Sequence, residues 1–360
     1  MYTPSLKGGG VLESNRLLAE GFRKKGYDVL IISNRKTDIE IDGFTHIYLN
    51  AGDLTRPFKL KSIIEREKPI AVFGNMLPQN ISLSLAKILI RESPKTKYFG
   101  FVRTSSSFIE YKAFYKTPYK TFVRKIYENL DKIIAISSIV KKDLQNAFKV
   151  DENKIEVIHN PIDLEYIKII SQEALNEFER NIFSKKTILY VGRFSPEKRL
   201  DLLIKIFSLI NAKLKNINLV LVGTGEEEKN LKELVKIYNI EKNVFFLPYT
   251  ANPFKYMKNA TIFALTSEQE GFGRVVAESM ACETPVIAFE NEFSGHKDIV
   301  INDYNGILIP FGDINSFVEK AYKILEDTDF YKKLKNNALK SSYSFSSEQV
   351  IDKLENLFKG

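Results

Sequence analysis

The chain has 360 residues, 44% of them hydrophobic and 27% charged, and carries a formal charge of +8. That length accommodates roughly two domains with a full core each, and the balance excludes a disordered tail, a collagen and a small disulfide-stapled scaffold. The one cysteine, Cys282, cannot form an intrachain disulfide, no apolar run reaches the length of a membrane span, and the opening MYTPSLKGGG lacks the charged-then-apolar layout of a signal peptide, so a cytoplasmic protein is expected. The basic excess is uneven. Residues 1–160 hold 27 Lys+Arg against 17 Asp+Glu, and the remainder holds 26 against 28. The first half is therefore expected to meet whatever anionic surface the protein encounters.

In chain order, strands are predicted at 28–33, 44–49, 70–74, 97–102, 132–137, 155–160, 187–192, 218–223, 243–248, 261–266 and 285–290. Most are nearly continuously apolar, as strands covered on both faces are. Helical patterns lie between them, at 13–25, 200–214, 226–238 and 274–282, with a polar helical stretch at 171–179 and a last helix at 347–357. Alternation of this kind predicts an α/β protein with parallel sheets and crossover helices. The gap at 161–186 divides the strands into two doubly wound sets. Pro161, in Asn160–Pro161–Ile162–Asp163, biases Asn160 away from helix and marks a hinge or a strand-to-helix turn.

Four places suggest chemistry. Gly8, Gly9 and Gly10 precede an amphipathic helix, either to let the backbone approach an anion at the helix N-terminus or to satisfy a turn. The run 192-GRFSPEKR-199 puts Arg193 and Lys198 after a strand, where open α/β sheets bind ligands; two such cations suit a diphosphate, or a solvated turn. Gly223 and Gly225 repeat the arrangement one strand later, without the third glycine of a dinucleotide fingerprint. In 267-SEQEGFGRVVAESMACETPVIAF-289, Glu270 stands before a helix and Glu278 inside it, with Gly271, Phe272 and Gly273 at the dipole's positive end. Two carboxylates eight apart on one helical face fit a ligand rich in hydroxyl donors, although capping and exposure would also explain them.

Together these stretches resemble the retaining glycosyltransferases of family 4, of the bacterial envelope polysaccharide and lipid-linked oligosaccharide type. The resemblance is carried by Glu270 and Glu278 (the family's E-x7-E), 191-VGRFSPEKRLDLLI-204, 222-VGTGEEEKNL-231, 158-IHNPID-163, 276-VAESMACETPVIA-288 and the Gly8–Gly10 loop, and it covers almost the entire chain. It implies a GT-B fold, two doubly wound Rossmann-like domains facing a central cleft. An acceptor-binding domain is expected over 1–165, a nucleotide-sugar-binding domain over 166–345, and a C-terminal helix over 346–360 that returns to the first. It implies catalytic roles for Glu270, Arg193 and Lys198, with the two cations on the donor diphosphate and Glu270 on the donor sugar. Glu278 is expected on the ribose, the amides at Phe272 and Gly273 on hydroxyls or phosphate, Gly9 and Gly10 closing over the diphosphate, and Gly223 near the donor.

Two departures matter. Only residues 1–6 are available for a strand before the glycine loop, so the first strand is unusually short or truncated. Where many relatives carry a histidine after the strand at 97–102, this chain has Arg103, which can stabilise phosphate or bind an anionic acceptor but cannot act as a base. Of the histidines, His296 is the one expected near the donor sugar. The reaction implied is transfer of a hexose or N-acetylhexosamine from a nucleotide sugar, UDP-linked by family frequency, to a saccharide acceptor, lipid-linked in this reading. No metal or other cofactor is expected, and Asp327–Thr328–Asp329 reads as a turn between helices. Lys112, Lys116, Lys120, Arg124 and Lys125 interleave with aromatics, which suits an anionic membrane surface at the inner face of the cytoplasmic membrane, or a solvated helix. The alternatives are a GT-B relative with epimerase or phosphorylase chemistry, or a nucleic-acid-binding protein. The last is disfavoured because the cations join no nucleic-acid-binding motif.

Overall fold

The computed structural model describes residues 1–4, 10–34, 43–90, 95–104 and 117–359. They fall into two compact units, Met1–Pro161 with Ser347–Gly360, and Ile162–Ser346. The chain thus leaves the first unit at Pro161, ahead of the expected boundary at 165, and its final segment belongs to that same unit.

The first unit contains β1 (Tyr2–Thr3), β2 (Leu30–Ser33), β3 (Thr45–Tyr48), β4 (Ala71–Asn75), β5 (Lys97–Val102), β6 (Lys132–Ala135) and β7 (Ile155–Val157). They form one parallel sheet in the order β3-β2-β1-β4-β5-β6-β7. The first strand is short and yet central. Tyr2 pairs with Ile32 on one side and Gly74 on the other, and its side chain is fully buried.

The second unit contains β8 (Lys186–Val191), β9 (Ile217–Val222), β10 (Val244–Leu247), β11 (Ile262–Leu265), β12 (Val286–Glu290) and β13 (Gly306–Pro310). These strands are also all parallel, in the order β10-β9-β8-β11-β12-β13. Every residue of β9 and β11 is buried, which is why their sequences are unbroken apolar runs. Strand order reverses between β1 and β4 in the first unit and between β8 and β11 in the second. Loops leaving the C-terminal ends of strands diverge at such points and leave room for a ligand.

Two expectations need correction. β13 was not among the predicted strands. Its short apolar run opens on Gly306 and closes on Pro310, and proline is tolerated there because β13 is an edge strand. Nor is 171–179 a helix. A helix over Leu164–Ile170 ends at Ser171, and another over Glu177–Phe183 begins behind a capping box. In that box the Glu179 amide donates to Asn176 Oδ1 and the Asn176 amide donates to the Glu179 carboxylate, each at 2.9 Å. Asparagine at a cap competes better than asparagine inside a helix.

The last helix, Ser347–Lys359, packs on the first unit's helix Gly10–Lys24. Gly21 permits the close approach, since a Cβ there would lie 2.5 Å from Ile351 Cγ1. Phe358 sits among Phe22, Tyr27, Phe73 and Phe99. Glu355 pairs with Lys359 at 2.6 Å, accepts from the Tyr27 hydroxyl at 2.6 Å, and accepts from Lys25 at 2.9 Å; Lys25 also pairs with Asp352. Lys359, Tyr27 and Lys25, in that order of weight, lower the Glu355 carboxyl to about 2. A carboxyl depressed in the folded state stabilises it above its ordinary value of 4.5, and that contribution fades as pH falls toward 2. Amide protection across Ser347–Lys359 is therefore expected to drop over this interval while the sheet stays protected. In Glu355→Gln the drop should already be present at neutral pH. Unchanged protection of the helix in acid would contradict this account.

Candidate functional site

At the reversal between β8 and β11 the second unit brings two loops together. The first follows β8 and is anchored by Phe194, which is fully buried. The Phe194 amide donates to Thr224 O at 2.9 Å, and the Glu227 amide donates to Phe194 O at 3.0 Å. Buried Tyr190 donates its hydroxyl to Arg193 O at 3.0 Å, and its burial holds that phenol protonated well above the ordinary tyrosine range. Arg193 itself is exposed.

The glycines of the neighbouring loop serve this lacing. A Cβ on Gly223 would lie 1.9 Å from Gly192 O, and one on Gly225 would lie 2.1 Å from Phe194 O. Gly223, expected near the donor, thus makes its close approach to another backbone. Its space is filled by the loop that carries Arg193 and Lys198.

Lys198 ends a helical turn over Pro196–Lys198. The second loop, after β11, is fastened to it twice. The Glu268 amide donates to Glu197 O at 2.9 Å, and Thr266 Oγ1 donates to Lys198 O at 3.0 Å. Across this seam Lys198 Nζ meets Glu270 Oε1 at 2.6 Å, with both side chains largely covered (20% and 15% exposed). Ser267 Oγ donates to the same carboxylate oxygen at 3.0 Å. Glu270 is not on the helix that follows. It forms a parallel bridge with Ser294, donating its amide to Phe293 O at 3.1 Å and accepting from the Gly295 amide at 2.7 Å. The two carboxylates of the E-x7-E pair therefore do not share one helical face, as their spacing had suggested.

Beyond Glu270, the Phe272 ring is buried against Phe345 and faces the interior. Gly273 adopts left-handed φ +84° and stands at the N-cap of the helix Arg274–Ala281 with no side-chain cap. Amides at this end carry the positive end of the helix dipole. Within the helix, Arg274 Nε donates to Glu278 Oε1 at 2.8 Å, which orients Glu278. His296 is fully buried, and its Nε2 lies 2.8 Å from Phe289 O. Burial lowers its affinity for a second proton. Its ring is thus built into the wall behind the Glu270 loop, not presented to a sugar.

In the first unit Arg103 follows β5 and is only 6% exposed. Its guanidinium donates to Asn75 Oδ1 at 2.7 and 3.2 Å, to Asn160 Oδ1 at 2.5 Å and to Asn15 Oδ1 at 3.0 Å, and it lies over the Phe101 ring. That burial puts it in an internal network, where the sequence suggested an acceptor contact. Gly10 starts the helix Gly10–Lys24 and is exposed; Gly8, Gly9, Lys112 and Lys116 lie outside the described residues. Lys120, Arg124 and Lys125 lie on the helix Thr117–Asn129, where Arg124 pairs with Glu128 at 2.7 Å and Phe122 is 44% exposed. Asp327 caps the helix Thr328–Ser342 by accepting from the amides of Asp329 and Phe330. Among the described residues no three His, Cys, Asp or Glu side chains gather as a metal site.

Sequence reasoning missed Ser267, Arg274, Asn15 and Asn75. Arg274 could have been found from its i,i+4 spacing to Glu278. Ser267 lies three residues before Glu270 and could have been found with it; Asn15 and Asn75 carry no local signal, because Arg103, Thr3 and Tyr2 are remote from them in the chain.

Residues 172–341 match the model for glycosyl transferases group 1, and residues 8–166 match the model for glycosyltransferase family 4. An uncharacterized glycosyltransferase of Methanocaldococcus jannaschii is 28% identical over 85% of this chain and 83% of its own length. The capsular polysaccharide biosynthesis glycosyltransferase CapM of Staphylococcus aureus is 26% identical over 94% of this chain and 91% of its own. A Campylobacter jejuni N-acetylgalactosamine-N,N'-diacetylbacillosaminyl-diphospho-undecaprenol 4-alpha-N-acetylgalactosaminyltransferase is 32% identical over 64% of this chain and 60% of its own. Among solved structures, Anabaena HepE in complex with UDP superposes with a TM-score of 0.84 at 18% identity, covering 99% of this chain and 98% of that one. With each sheet unit matched by its own model and the fold shared from end to end, the chain belongs to the family 4 glycosyltransferases and has the GT-B fold.

Proposed function

We propose that this glycosyltransferase moves a hexose or N-acetylhexosamine from a UDP-linked sugar to a lipid-linked saccharide acceptor in cell-envelope glycan synthesis, with retention at the anomeric carbon. The observation that carries the donor half is the Lys198–Glu270 pair, set across the β8/β11 reversal and ahead of the helix Arg274–Ala281, whose N-cap is Gly273. UDP is favoured because HepE, of the same fold, is described in complex with it. A lipid-linked acceptor is favoured because the C. jejuni relative is named for a diphospho-undecaprenol substrate, and envelope polysaccharide because CapM is named for capsule synthesis.

The chemistry follows from the charges. Before the donor arrives, Lys198 is balanced by Glu270. An ammonium has three donors, so Lys198 can keep Glu270 Oε1 and still reach a phosphate oxygen. Arg193, exposed at the start of the same loop, adds a planar fork to the diphosphate. Both hydrogen bonds to Glu270 fall on Oε1, which leaves Oε2 for a hydroxyl of the donor sugar. Glu278, oriented by Arg274, accepts from the ribose. As the bond from the anomeric carbon to the diphosphate breaks, the negative charge that grows is met by Lys198, Arg193 and the helix N-terminus. The acceptor oxygen bonds to the anomeric carbon on the face the diphosphate leaves, and a leaving-group oxygen takes its proton. In this reading the two cations do the work a divalent metal does elsewhere. The acceptor is held by the first unit, whose Lys112, Lys116, Lys120, Arg124 and Lys125 adjoin an anionic bilayer.

Three outcomes test this. A UDP-sugar at 100 times its Kd should raise stability by about 2.7 kcal/mol in a thermal-shift screen, and a screen in which no nucleotide sugar shifts melting would end the proposal. Lys198→Ala and Glu278→Ala should each lower turnover by about 100-fold or more while circular dichroism stays that of the parent; near-full activity in either removes that residue's role. Replacing Lys112, Lys116, Lys120 and Lys125 by Gln should release the protein from vesicles containing anionic lipid, each cation contributing about 1 kcal/mol. Co-sedimentation that is indifferent to all four changes rules out the membrane face. Arg124 is left in place because Glu128 already engages it.

A further inference from the structure

The proposed donor loop, Glu270 to Gly273, is backed by another piece of chain. Segment 293–296 runs behind it, joined through the Glu270–Ser294 bridge, with the Glu270 amide donating to Phe293 O and the Gly295 amide donating to Glu270 O. The two backbones touch. A Cβ on Gly295 would lie 2.1 Å from Gly271 O, and one on Gly273 would lie 2.8 Å from His296 Cβ. His296 therefore contacts the loop at both ends, through Gly295 to Glu270 and directly at the N-cap of the helix Arg274–Ala281.

Its ring is anchored on the other side. Nε2 lies 2.8 Å from Phe289 O on β12. A carbonyl oxygen only accepts, so Nε2 carries the proton. Nδ1 is then the lone-pair nitrogen; it is buried and meets no hydrogen-bond partner among the described residues. A proton there would place a cation and an unanswered N–H inside the protein. Glu270 and Glu290 favour the charged ring and Lys297 opposes it, but burial is the largest influence and holds the ring neutral.

We propose that His296 is a positioning residue for the donor site: as a neutral Nε2–H tautomer it clamps segment 293–296 to β12 and thereby fixes the Glu270–Gly273 loop. This rests on the reading of that loop as the donor site. An aliphatic side chain of similar size would fill the space without the directional bond to Phe289 O. The loop would then be free to slide along β12 by the fractions of an ångström that decide whether Glu270 and the helix amides converge on one ligand.

The test uses the full chain and three variants, with UDP as the probe in calorimetric titration. Glutamine carries an amide to about the Nε2 position and can donate to Phe289 O; asparagine reaches only to about the Nδ1 position; leucine donates nothing. His296→Gln is expected to bind UDP within about threefold of the parent. His296→Asn and His296→Leu should bind it about tenfold or more weakly, with the donor KM rising more than kcat falls, in proteins that still melt cooperatively. Ring 15N spectra of the unliganded parent should show the neutral Nε2–H tautomer at pH 7. Parent-like UDP binding by His296→Leu, equal damage in His296→Gln and His296→Leu, or an Nδ1–H tautomer would overturn the clamp. If His296→Leu fails to fold, the Gln and Asn pair and the ring spectra decide. A parent that binds no UDP but shows the Nε2–H ring would fault the donor-site reading, not the clamp.

Discussion

The pairing of β8 with β11 is the constraint on which the salt bridge between Lys198 and Glu270 depends. The bridge's partners come from loops after β8 and β11, and it forms only because the sheet places those strands side by side. A largely covered ion pair is a weak source of stability, since desolvation offsets much of the attraction, and well-packed apolar residues would serve as well or better. What an apolar pair could not supply is a cation and a carboxylate held at fixed positions and ready to redistribute their hydrogen bonds. The surrounding bonds are consistent with that: Ser267 shares the carboxylate, and the Lys198 carbonyl is fastened by Thr266. The pair is held by backbone on both sides, so its geometry does not depend on the pair itself.

Glycine makes that support possible. Gly223, Gly225 and Gly295 each sit where a Cβ would lie about 2 Å from a carbonyl oxygen of a neighbouring loop. Loops after β8, β9, β11 and β12 are thus joined main chain to main chain, which transmits position more faithfully than contacts between long side chains. A G-x-G after a strand invites reading as a phosphate-binding turn. Here the same lack of a side chain lets one loop seat another, and Arg193 and Lys198 stand on the loop so seated.

Much of the fold was legible because burial on both faces writes itself as unbroken apolar runs: β8, β9, β11 and β12 could be read directly. β13 was not, because a short run between Gly306 and Pro310 has the punctuation of a loop, and only its place at the sheet edge makes it a strand. The stretch 171–179 failed for the opposite reason. Its composition suits a helix, but Asn176 finds a better partner as a cap. In the candidate site, the positions of Arg193 and Lys198 after a strand and of Glu270 and Glu278 around a helix start are legible in the sequence. The meeting of Lys198 with Glu270 is not, since 72 residues separate them. Nothing local in the sequence shows that Phe289 and Gly273 enclose His296.

The two units share a topology and use its reversal point differently. In the second it gathers charges that can be shared with a ligand. In the first, Arg103 extends its fork to three asparagine oxygens on the first helix, at the end of β4 and beyond β7. A guanidinium is suited to this, since its N–H groups diverge in one plane and can organise several acceptors at once. Each amide so engaged has its orientation set: Asn15 turns its nitrogen to Thr3 Oγ1 and Asn75 turns its nitrogen to Tyr2 O. The two-residue central strand, too short to hold itself by ladder bonds alone, is in this way tied to β4 and to the first helix from the side. An imidazole has only two ring nitrogens and could not reach all three amides. Arg103 is in this way a fixed brace of the first unit, its charge satisfied by amide oxygens.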